Sequence, residues 1–329
     1  MFKNKKILIT GGTGSLGTAL TKRLLKTEVD VIRIFSRDEW KQIQMQDQLN
    51  NKKLRFLIGD VRDKERLSRA MEDIDIVFHA AALKHVPVAE YNPFEAIKTN
   101  VLGAQNVIES ALDNKVSRVI AIGTDKAVSP LNTYGATKLL MERMMTAANF
   151  FKGKHKTDFL CVRYGNVLGS RGSVLPKFLE QIKNGQRLTI TDPKMTRFNI
   201  TMKQAIDLIF RAVNDGKSGE VFVPKLKAYT LDEFKNAIIE LTKYNGVIQK
   251  IQVRPGEKFH ETLISQDEIA YTYESNNDYI IRSPGVENLS DIKSRNLKRV
   301  KFTGPYSSDK APAISKNELK QIIQSEKLL

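Results

Sequence analysis

Short, continuous apolar runs alternate with stretches of helical length through the first half of the chain, and this alternation constrains the fold most. The runs are rich in Val, Ile and Leu and do not alternate with polar residues, which is typical of strands buried on both faces. Such strand–helix–strand repetition predicts an α/β protein with a Rossmann-type doubly wound parallel sheet and right-handed crossovers. The predicted strands are Ile7–Thr10, Val31–Ser36, Leu54–Ile58, Ile74–His79, Val119–Gly123 and Phe159–Arg163. The predicted helices are Ser15–Lys26, Lys64–Met71 and Thr99–Asn114.

The alternation loosens beyond Asn166, where turn-forming pairs such as Asp192–Pro193 interrupt it. We therefore expect two units. Residues 1–165 form a dinucleotide-binding domain, and residues 166–329 form mainly a smaller substrate-binding lobe, with some segments returning to the first unit. A last helix is expected to start at Ser315, because Ser315 and Glu318 fit a capping box ahead of an apolar run.

Composition indicates an ordinary globular protein. Hydrophobic residues make up 41% and charged residues 27% of the 329 residues, which excludes a disordered chain. No apolar run approaches the roughly 18 residues that a membrane span needs, and the N-terminus lacks a secretory pattern, so we expect a cytoplasmic protein. The single cysteine, Cys161, excludes an intrachain disulfide, and the four histidines show no metal-ligand spacing, so we expect no metal.

The formal net charge of +16 raises the question of an acidic partner. The basic residues are scattered along the chain, and no aromatic-plus-basic nucleic-acid motif accompanies them. We therefore favour a lysine-rich surface and expect no nucleic acid. A noncatalytic dinucleotide sensor or nucleic-acid-binding protein remains the alternative from another functional class.

A glycine-rich turn follows the first predicted strand and opens the first predicted helix. Its glycines have GxxGxxG spacing, a variant of the dinucleotide fingerprint. Glycine turns tightly and lets backbone N–H groups approach a pyrophosphate, while the helix N-terminus adds partial positive charge. This context predicts a nucleotide coenzyme rather than a simple tight turn. The predicted contacts are Gly11, Thr13, Gly14, Ser15, Leu16 and Gly17.

The end of the second predicted strand bears on the choice between NADP and NAD. An NAD site usually has an acidic residue there that bonds the ribose hydroxyls. Here Ser36 and Arg37 come first, and a guanidinium suits a 2′-phosphate, whereas Asp38 is compatible with NAD. We therefore predict NADP, with NAD as the less favoured coenzyme. The other predicted coenzyme contacts are Asp60, Val61, Ala80, Ala81, Ala82, Lys84 and Asn100.

Tyr134 and Lys138 place a phenol and an ammonium four residues apart, on one face of a predicted helix. The lysine can lower the pKa of the tyrosine and hold the nicotinamide ribose. A tyrosinate can then take the proton of a sugar hydroxyl whose carbon gives up a hydride. This YxxxK pattern often occurs by chance, but here it follows Thr124 at a strand end, where a hydroxyl can complete the oxidation site.

With these residues the chain resembles the extended short-chain dehydrogenase/reductase family. Longer motifs are similar to those of the soluble, 5-inverting UDP-N-acetylglucosamine 4,6-dehydratases of pseudaminic acid biosynthesis. The resemblance covers most of the chain, up to about residue 265. The motifs that carry it are His79–Pro93, Thr124–Ala127, Arg163–Ser173, Asp192–Phe198 and Arg254–Lys258.

The resemblance implies oxidation of the sugar at C4, loss of water across C5 and C6, and reprotonation of C5 on the opposite face. It implies Lys126 as the base at C5 and Asp125 as the acid at C6. The product would be a UDP-2-acetamido-2,6-dideoxy-4-keto-hexose for surface glycans or protein glycosylation. Because a base must be partly neutral, we expect burial and the cationic nicotinamide to depress the pKa of Lys126.

The diphosphate of UDP-N-acetylglucosamine needs cations, and guanidinium groups match phosphate oxygens. The predicted substrate-binding residues are Lys84, Asn166, Arg171, Arg197, Arg254 and Glu257. The resemblance also implies a homo-oligomer, a dimer through helices beside Tyr134 or a hexamer. A UDP-N-acetylhexosamine C4-epimerase is the alternative enzyme, but such an enzyme needs no pair like Asp125–Lys126.

Overall fold

The first half of the chain forms the alternating strands and helices that the sequence predicts. The computed structural model describes residues 1–283 and 289–329. The first-half elements are β1 (Lys6–Thr10), α1 (Ser15–Leu24), β2 (Val31–Ser36), α2 (Glu39–Leu49), β3 (Leu54–Ile58), α3 (Lys64–Met71), β4 (Ile76–His79), α4 (Val86–Tyr91), α5 (Pro93–Ile97), α6 (Gly103–Asp113), β5 (Arg118–Ile122), α7 (Thr133–Phe151) and β6 (Asp158–Val162). A π-helical turn (Lys98–Leu102) precedes α6, and a 3-10 turn (Asp125–Ala127) follows β5.

The second half contains shorter strands and five helices within the described residues. They are α8 (Val174–Lys183), β7 (Leu188–Ile190), β8 (Thr196–Phe198), α9 (Met202–Asp215), β9 (Val221–Pro224), β10 (Ala228–Thr230), α10 (Leu231–Thr242), β11 (Ile248–Lys250), β12 (Thr262–Ile264), β13 (Thr272–Glu274), β14 (Asp278–Ile281), α11 (Leu289–Ser294), β15 (Lys298–Arg299), β16 (Tyr306–Ser307) and α12 (Lys316–Ser325). A 3-10 turn (Ile269–Tyr271) precedes β13. The predicted start of the last helix is confirmed, since Ser315 caps α12 by accepting a hydrogen bond from the Glu318 N–H.

A ten-stranded sheet has the order β15-β13-β14-β9-β6-β5-β4-β1-β2-β3. The strands from β9 to β3 are parallel, which confirms the predicted Rossmann-type sheet. At the other edge, β14 pairs antiparallel with β9, and β13 and β15 extend the antiparallel part. Sequence reasoning missed these edge strands because their short segments mix polar with apolar residues and lack a continuous apolar run.

Several predicted boundaries differ from the structure by one or two residues, as at the end of α1, which is Leu24 and not Lys26. Two predicted elements show why. The strand expected from Ile74 begins at Ile76, because Asp73 has a φ of +60° and forms a turn before the chain extends. The helix expected over Thr99–Asn114 is divided into the π-helical turn and α6. Such π-turns are often found at functional positions, and this one contains Asn100.

Two apolar cores hold the chain together. The larger core surrounds the ten-stranded sheet, in which Ile7, Leu8 and Ile9 of β1 are fully buried. The smaller core lies between α8, α10 and α12, where the rings of Phe178 and Phe234 have centroids 6.2 Å apart. Burial of each such side chain stabilises the fold by about 1.5–3 kcal/mol.

The longest helix of the described residues is α7, with 19 residues. It begins after Asn132, whose side chain accepts a hydrogen bond from the Gly135 N–H at 2.8 Å. Its buried positions include Tyr134 and Lys138, so both predicted site residues face inward. Across residues 1–283 and 289–329, we find no helix with both the length and the apolar character needed to cross a membrane.

Candidate active site

The turn between β1 and α1 has the backbone form that the glycine spacing predicts. Gly11 has a φ of +66°, and a Cβ atom there would lie 2.8 Å from the backbone of Ala81. A Cβ at Gly17 would lie 2.5 Å from the Gly12 backbone oxygen, so α1 packs directly onto the turn. Gly14 caps α1 in an extended conformation, and the N–H groups of the first helical turn follow it. These features fit a pyrophosphate at the start of α1.

The three residues at the end of β2 that bear on coenzyme choice have different surroundings. The Ser36 hydroxyl is buried and accepts a hydrogen bond from Gln42 at 3.0 Å. Asp38 caps α2, because its carboxylate accepts a hydrogen bond from the Lys41 N–H at 3.0 Å. Arg37 is exposed, and its Nη1 lies 3.7 Å from the carboxylate of Asp60. Asp38 is therefore engaged in capping the start of α2, while the Arg37 side chain is accessible to a ligand.

The loop after β4 lies beside the glycine turn. The N–H of Ala80 donates to the Thr10 backbone oxygen at 3.2 Å, and the N–H of Ala81 donates to the Thr10 hydroxyl at 3.3 Å. Asn100 fixes the end of this loop, since its side chain accepts from the Leu83 N–H and donates to the Leu83 oxygen. It also donates to the hydroxyl of Thr137 on α7. Asn100 therefore connects the predicted coenzyme loop to the helix of Tyr134.

Asp125 and Lys126 lie at the carboxyl end of β5, where the sequence places them. Asp125 is buried, and its Oδ1 lies 3.1 Å from Lys126 Nζ and accepts a hydrogen bond from the Thr124 hydroxyl at 3.0 Å. Lys126 Nζ also donates to Asn166 Oδ1 at 3.0 Å. Asn166 thus positions Lys126, while its predicted contact with substrate stays a prediction. The start of α7 packs on this turn, because a Cβ at Gly135 would lie 2.2 Å from the Lys126 oxygen.

Sequence reasoning missed a carboxylate next to Lys126. Glu261, just before β12, is buried, and its Oε1 lies 3.3 Å from Lys126 Nζ. No local signal could have revealed it, since the two residues belong to distant segments that meet only in the folded chain. Lys258 is a second missed residue. It is buried close by, with its ammonium donating to the Val128 oxygen.

The predicted depression of the Lys126 pKa is wrong for this structure. Burial alone lowers the pKa of Lys126, but the carboxylates of Asp125 and Glu261 outweigh it and raise the pKa well above its usual range. Burial raises the pKa of Asp125, and the negative charge of Glu261 adds to that rise. The arrangement therefore favours a charged lysine beside an aspartate that readily holds a proton.

Tyr134 and Lys138 also differ from expectation. Burial raises the pKa of Tyr134, and the opposing groups are the Lys126 ammonium and the Thr124 hydroxyl, so the predicted lowering by Lys138 is wrong. Burial lowers the pKa of Lys138 to about 8 against the raising effects of Cys161 and Glu142. The Lys138 ammonium donates to the sulfur of Met141, one turn further along α7, at 3.0 Å.

The predicted substrate-binding cations fall into two places. Arg197 is buried on β8, and its Nη2 lies 3.0 Å from Glu257 Oε1, while Arg254 is exposed in the turn that ends at Glu257. Arg171 lies away from them, since its Nη2 donates to the Thr13 oxygen in the glycine turn at 2.6 Å. Lys84 joins this second group by donating to the Arg171 oxygen at 2.9 Å.

Burial, followed by the neighbouring Arg171 and Lys126 charges, lowers the pKa of Lys84. A further cation that the sequence reasoning missed, Lys177 on α8, belongs with the first group. Its pKa is lowered by burial and by the charge of Arg254, and raised by Glu257. Cations therefore lie both beside the glycine turn and beside Glu257.

Comparison with known proteins finds relatives that align along almost the whole chain. The model of a family described as "Polysaccharide biosynthesis protein" matches residues 7–283. A UDP-N-acetylglucosamine 4,6-dehydratase (inverting) from Campylobacter jejuni is 46% identical over 98% of both chains. A protein named UDP-glucose 4-epimerase from Rickettsia prowazekii is 43% identical over 98% of this chain and 96% of its own.

Solved structures agree with the fold. The X-ray structure of Pen from Bacillus thuringiensis superposes with a TM-score of 0.93 at 44% identity, over 100% of this chain and 99% of that one. Nucleotide-sugar dehydratases and epimerases at 19–21% identity share the fold and were solved with NAD. With the family match over most of its length and relatives that align almost end to end, the chain belongs to the polysaccharide biosynthesis protein family.

Proposed function

We propose that the protein is a UDP-N-acetylglucosamine 4,6-dehydratase that inverts C5. The observation that carries this proposal is the Asp125–Lys126 pair, at 3.1 Å, in the turn against which the Tyr134 helix begins. Exchange of configuration at C4 needs only oxidation and reduction, whereas loss of water needs a base for the C5 proton and an acid for the C6 hydroxyl. The Campylobacter jejuni relative named for this reaction supports the assignment.

The first proposed proton transfer involves Tyr134, which takes the proton of the C4 hydroxyl as that carbon is oxidised. The chemistry supplied by a bound nicotinamide dinucleotide is reversible hydride transfer, out of C4 and back to C6. The resulting C4 ketone acidifies the C5–H. Transfer of the ammonium proton from Lys126 to Asp125, 3.1 Å away, makes Lys126 the neutral amine that removes the C5 proton. The same transfer makes Asp125 the acid that donates a proton to the departing C6 hydroxyl, which leaves as water.

The configuration of C5 is inverted because the last proton reaches C5 on the face opposite to the one that lost its proton. Lys126 or a water molecule delivers a proton to the opposite face of C5, and the C4 hydroxyl is not restored. The product is a UDP-2-acetamido-2,6-dideoxy-4-keto-hexose, a precursor for surface-glycan or protein-glycosylation sugars. This reaction removes one water and leaves the coenzyme in its starting redox state, which classes the enzyme as a lyase.

NADP is the coenzyme that we propose, although structures of this fold were solved with NAD. Two features support NADP. Asp38 is occupied as the cap of α2, and the Arg37 guanidinium is accessible at the end of β2. A 2′-phosphate there would gain a charge-assisted hydrogen bond, whereas ribose hydroxyls would compete with the helix for Asp38.

We assign residues 1–165 to the coenzyme domain and most of residues 166–329 to the substrate lobe. Strands β9 and β14 belong to residues 166–329 but pair in the large sheet, which supports the expectation that segments of the second unit return to the first. Arg197, Arg254 and Glu257 would bind the nucleotide and its diphosphate. Arg171 and Lys84 would contact phosphates from the coenzyme side.

A cytoplasmic homo-oligomer is the proposed form of the enzyme. Large apolar side chains are exposed on α4, on α5 and in the loop before α7: Tyr91 is 88%, Phe94 76% and Leu131 63% exposed. Exposed apolar groups of this size on neighbouring segments are typical of a subunit interface. Light scattering should give the mass of a dimer or hexamer, and a monomer at micromolar concentration would contradict the proposal.

Incubation with UDP-N-acetylglucosamine, followed by mass spectrometry, tests the reaction. A dehydratase gives a product lighter by one water, whereas a C4-epimerase gives an isobaric product. The epimerase remains the second candidate because the Rickettsia prowazekii relative carries that name. An isobaric product with a changed C4 configuration would support it, and steeply salt-dependent nucleic-acid binding with no turnover would indicate neither enzyme.

A further inference from the structure

Glu261 is a buried carboxylate that the proposed proton transfers do not use. Its side chain is 3% exposed, and its Oε1 lies 3.3 Å from Lys126 Nζ and 3.9 Å from Arg197 Nε. Its Oε2 is buried and has no hydrogen-bond partner among the described residues. Burying a carboxylate without a partner for each oxygen destabilises the fold, so the presence of Glu261 next to Lys126 calls for an explanation.

The backbone fixes where this carboxylate lies. The Glu261 backbone N–H donates to the Ser308 hydroxyl at 2.9 Å, and the Ser308 backbone N–H donates to the Glu261 backbone oxygen at 2.8 Å. The Ser308 hydroxyl in turn lies 2.6 Å from the hydroxyl of Thr196, which precedes Arg197. Glu261 is therefore held by the substrate lobe, whereas Lys126 lies in the turn after β5.

Charged and titratable groups face this pair from several elements. Asp125 lies on the same turn as Lys126, and Tyr134 faces it from α7. Arg197 approaches from β8, Lys258 from the segment before β12, and Lys84 from the loop after β4. The cations Arg197 and Lys258 would repel the Lys126 ammonium. Asp125 and Glu261 are the two carboxylates that offset this repulsion.

We propose that Glu261 is a positioning residue for Lys126, which orients the amine toward C5 and controls its charge. The inference rests on the proposed function, because the base at C5 is the role it serves. Three contacts define the amine position. Lys126 Nζ lies 3.0 Å from Asn166 Oδ1, 3.1 Å from Asp125 Oδ1 and 3.3 Å from Glu261 Oε1.

The charges predict how the reaction depends on pH. Removal of the Glu261 charge takes away one of the two carboxylates that raise the pKa of Lys126, so the amine becomes neutral at lower pH. The same change removes a charge that raises the pKa of Asp125, so this acid loses its proton at lower pH. Both limbs of a bell-shaped profile therefore move in the acidic direction.

The test compares wild type with Glu261→Gln, and uses Glu257→Gln as the matched control. Both variants remove a carboxylate that contacts Arg197, but the Glu257 carboxylate pairs with Arg197, whereas the Glu261 carboxylate also approaches Lys126. The readouts are the pH profile of solvent-deuterium entry at C5 and the NMR titration of the Lys126 side-chain carbon, assigned with Lys126→Met. In Glu261→Gln we expect the midpoint of the pH profile and the midpoint of the Lys126 titration each to fall by about one to three pH units.

Glu257→Gln should keep both midpoints within a few tenths of a unit and raise the KM for the UDP-sugar. Glu261→Asp, which keeps the charge on a shorter side chain and at a longer distance, should lower both midpoints by a measurable amount that is smaller than in Glu261→Gln. If Glu261→Gln does not fold, the same titration of Glu261→Asp decides, because a longer ion-pair distance must still lower the Lys126 midpoint. Unchanged midpoints in whichever variant is measured would overturn the inference.

The NMR titration separates this inference from the proposed function. If wild type fails to release water from UDP-N-acetylglucosamine, the proposed function is wrong. A Lys126 midpoint that still falls in Glu261→Gln would then support control of the Lys126 charge by Glu261 without the C5 role. If wild type turns over and the midpoints do not move, only the assignment of Glu261 fails.

Discussion

Arg171 Nη2 donates a hydrogen bond to the Thr13 backbone oxygen at 2.6 Å, which joins the segment after β6 to the glycine turn after β1. The Arg171 backbone N–H and Nε both lie 3.3 Å from the Ser15 hydroxyl, so three donors of one residue contact this turn. A residue predicted to bind substrate therefore also holds the loop on which the coenzyme pyrophosphate is expected.

This contact predicts that Arg171→Ala weakens the binding of the coenzyme more than the binding of the substrate. Loss of hydrogen bonds from a charged group to a partly exposed loop should raise the coenzyme Kd about tenfold. Arg254→Ala, which alters a cation of the substrate group, should raise the KM for the UDP-sugar and leave the coenzyme Kd unchanged. Titration calorimetry would contradict the prediction if both variants bound the coenzyme as tightly as wild type.

The exposed guanidinium at the end of β2 predicts a coenzyme preference. Wild type should bind NADP more tightly than NAD, and Arg37→Ala should lose about tenfold in NADP affinity while its NAD affinity changes less than twofold. Fluorescence titration with both reduced coenzymes measures this. Equal affinities in wild type, or an equal loss of both in Arg37→Ala, would show that Arg37 does not recognise a 2′-phosphate.

A buried arginine predicts a large effect on stability. The Arg163 guanidinium is 1% exposed and is paired with both Glu142 and Glu268. Glu142→Gln removes one of these charges and should lower the free energy of unfolding by about 3 kcal/mol. Glu72→Gln breaks the exposed pair with Arg69 and should cost less than about 1 kcal/mol. Equal denaturation midpoints for the two variants would be inconsistent with this account.

The pKa of Lys138 predicts how stability depends on pH. Burial lowers it to about 8 from an ordinary 10.5, so below pH 8 the buried group is charged at a cost. Between pH 8 and 10.5 the unfolded chain binds more protons than the folded one, and stability rises with pH. Lys138→Met should therefore be more stable than wild type below pH 8, by roughly 3 kcal/mol at most.

This stability difference should vanish above pH 10.5, the ordinary pKa of the lysine. Urea denaturation of both proteins at several pH values measures the difference, and other groups cancel because they are common to both. A difference that stays constant from pH 7 to 11 would show that Lys138 is not held in the environment described.

Much of the fold follows from local sequence patterns. Continuous apolar runs identify the parallel strands β1 to β6, and glycine spacing identifies the turn before α1. The antiparallel strands β13 and β15 are short and half polar, and only their pairing with the long sheet makes them strands. Local patterns cannot carry that information, because it depends on neighbours far along the chain.

The site shows the same division. The spacing of Tyr134 and Lys138 predicts their common buried face, and Asp125 and Lys126 lie where their strand ends. The charge of Lys126 could not be predicted, because Glu261 approaches it from another segment. A pKa depends on all nearby charges and on burial, and both depend on the tertiary fold.

The central claim is that Lys126 and Asp125 carry out an elimination across C5 and C6. The most direct measurement is NMR of the product formed from UDP-N-acetylglucosamine in D₂O by wild type and by Lys126→Ala. Wild type should give a product that has lost one water and carries deuterium at an inverted C5, while Lys126→Ala should still oxidise C4 but place no deuterium at C5. Rapid exchange at C5 in Lys126→Ala, or a wild-type product that keeps its water, would contradict the claim.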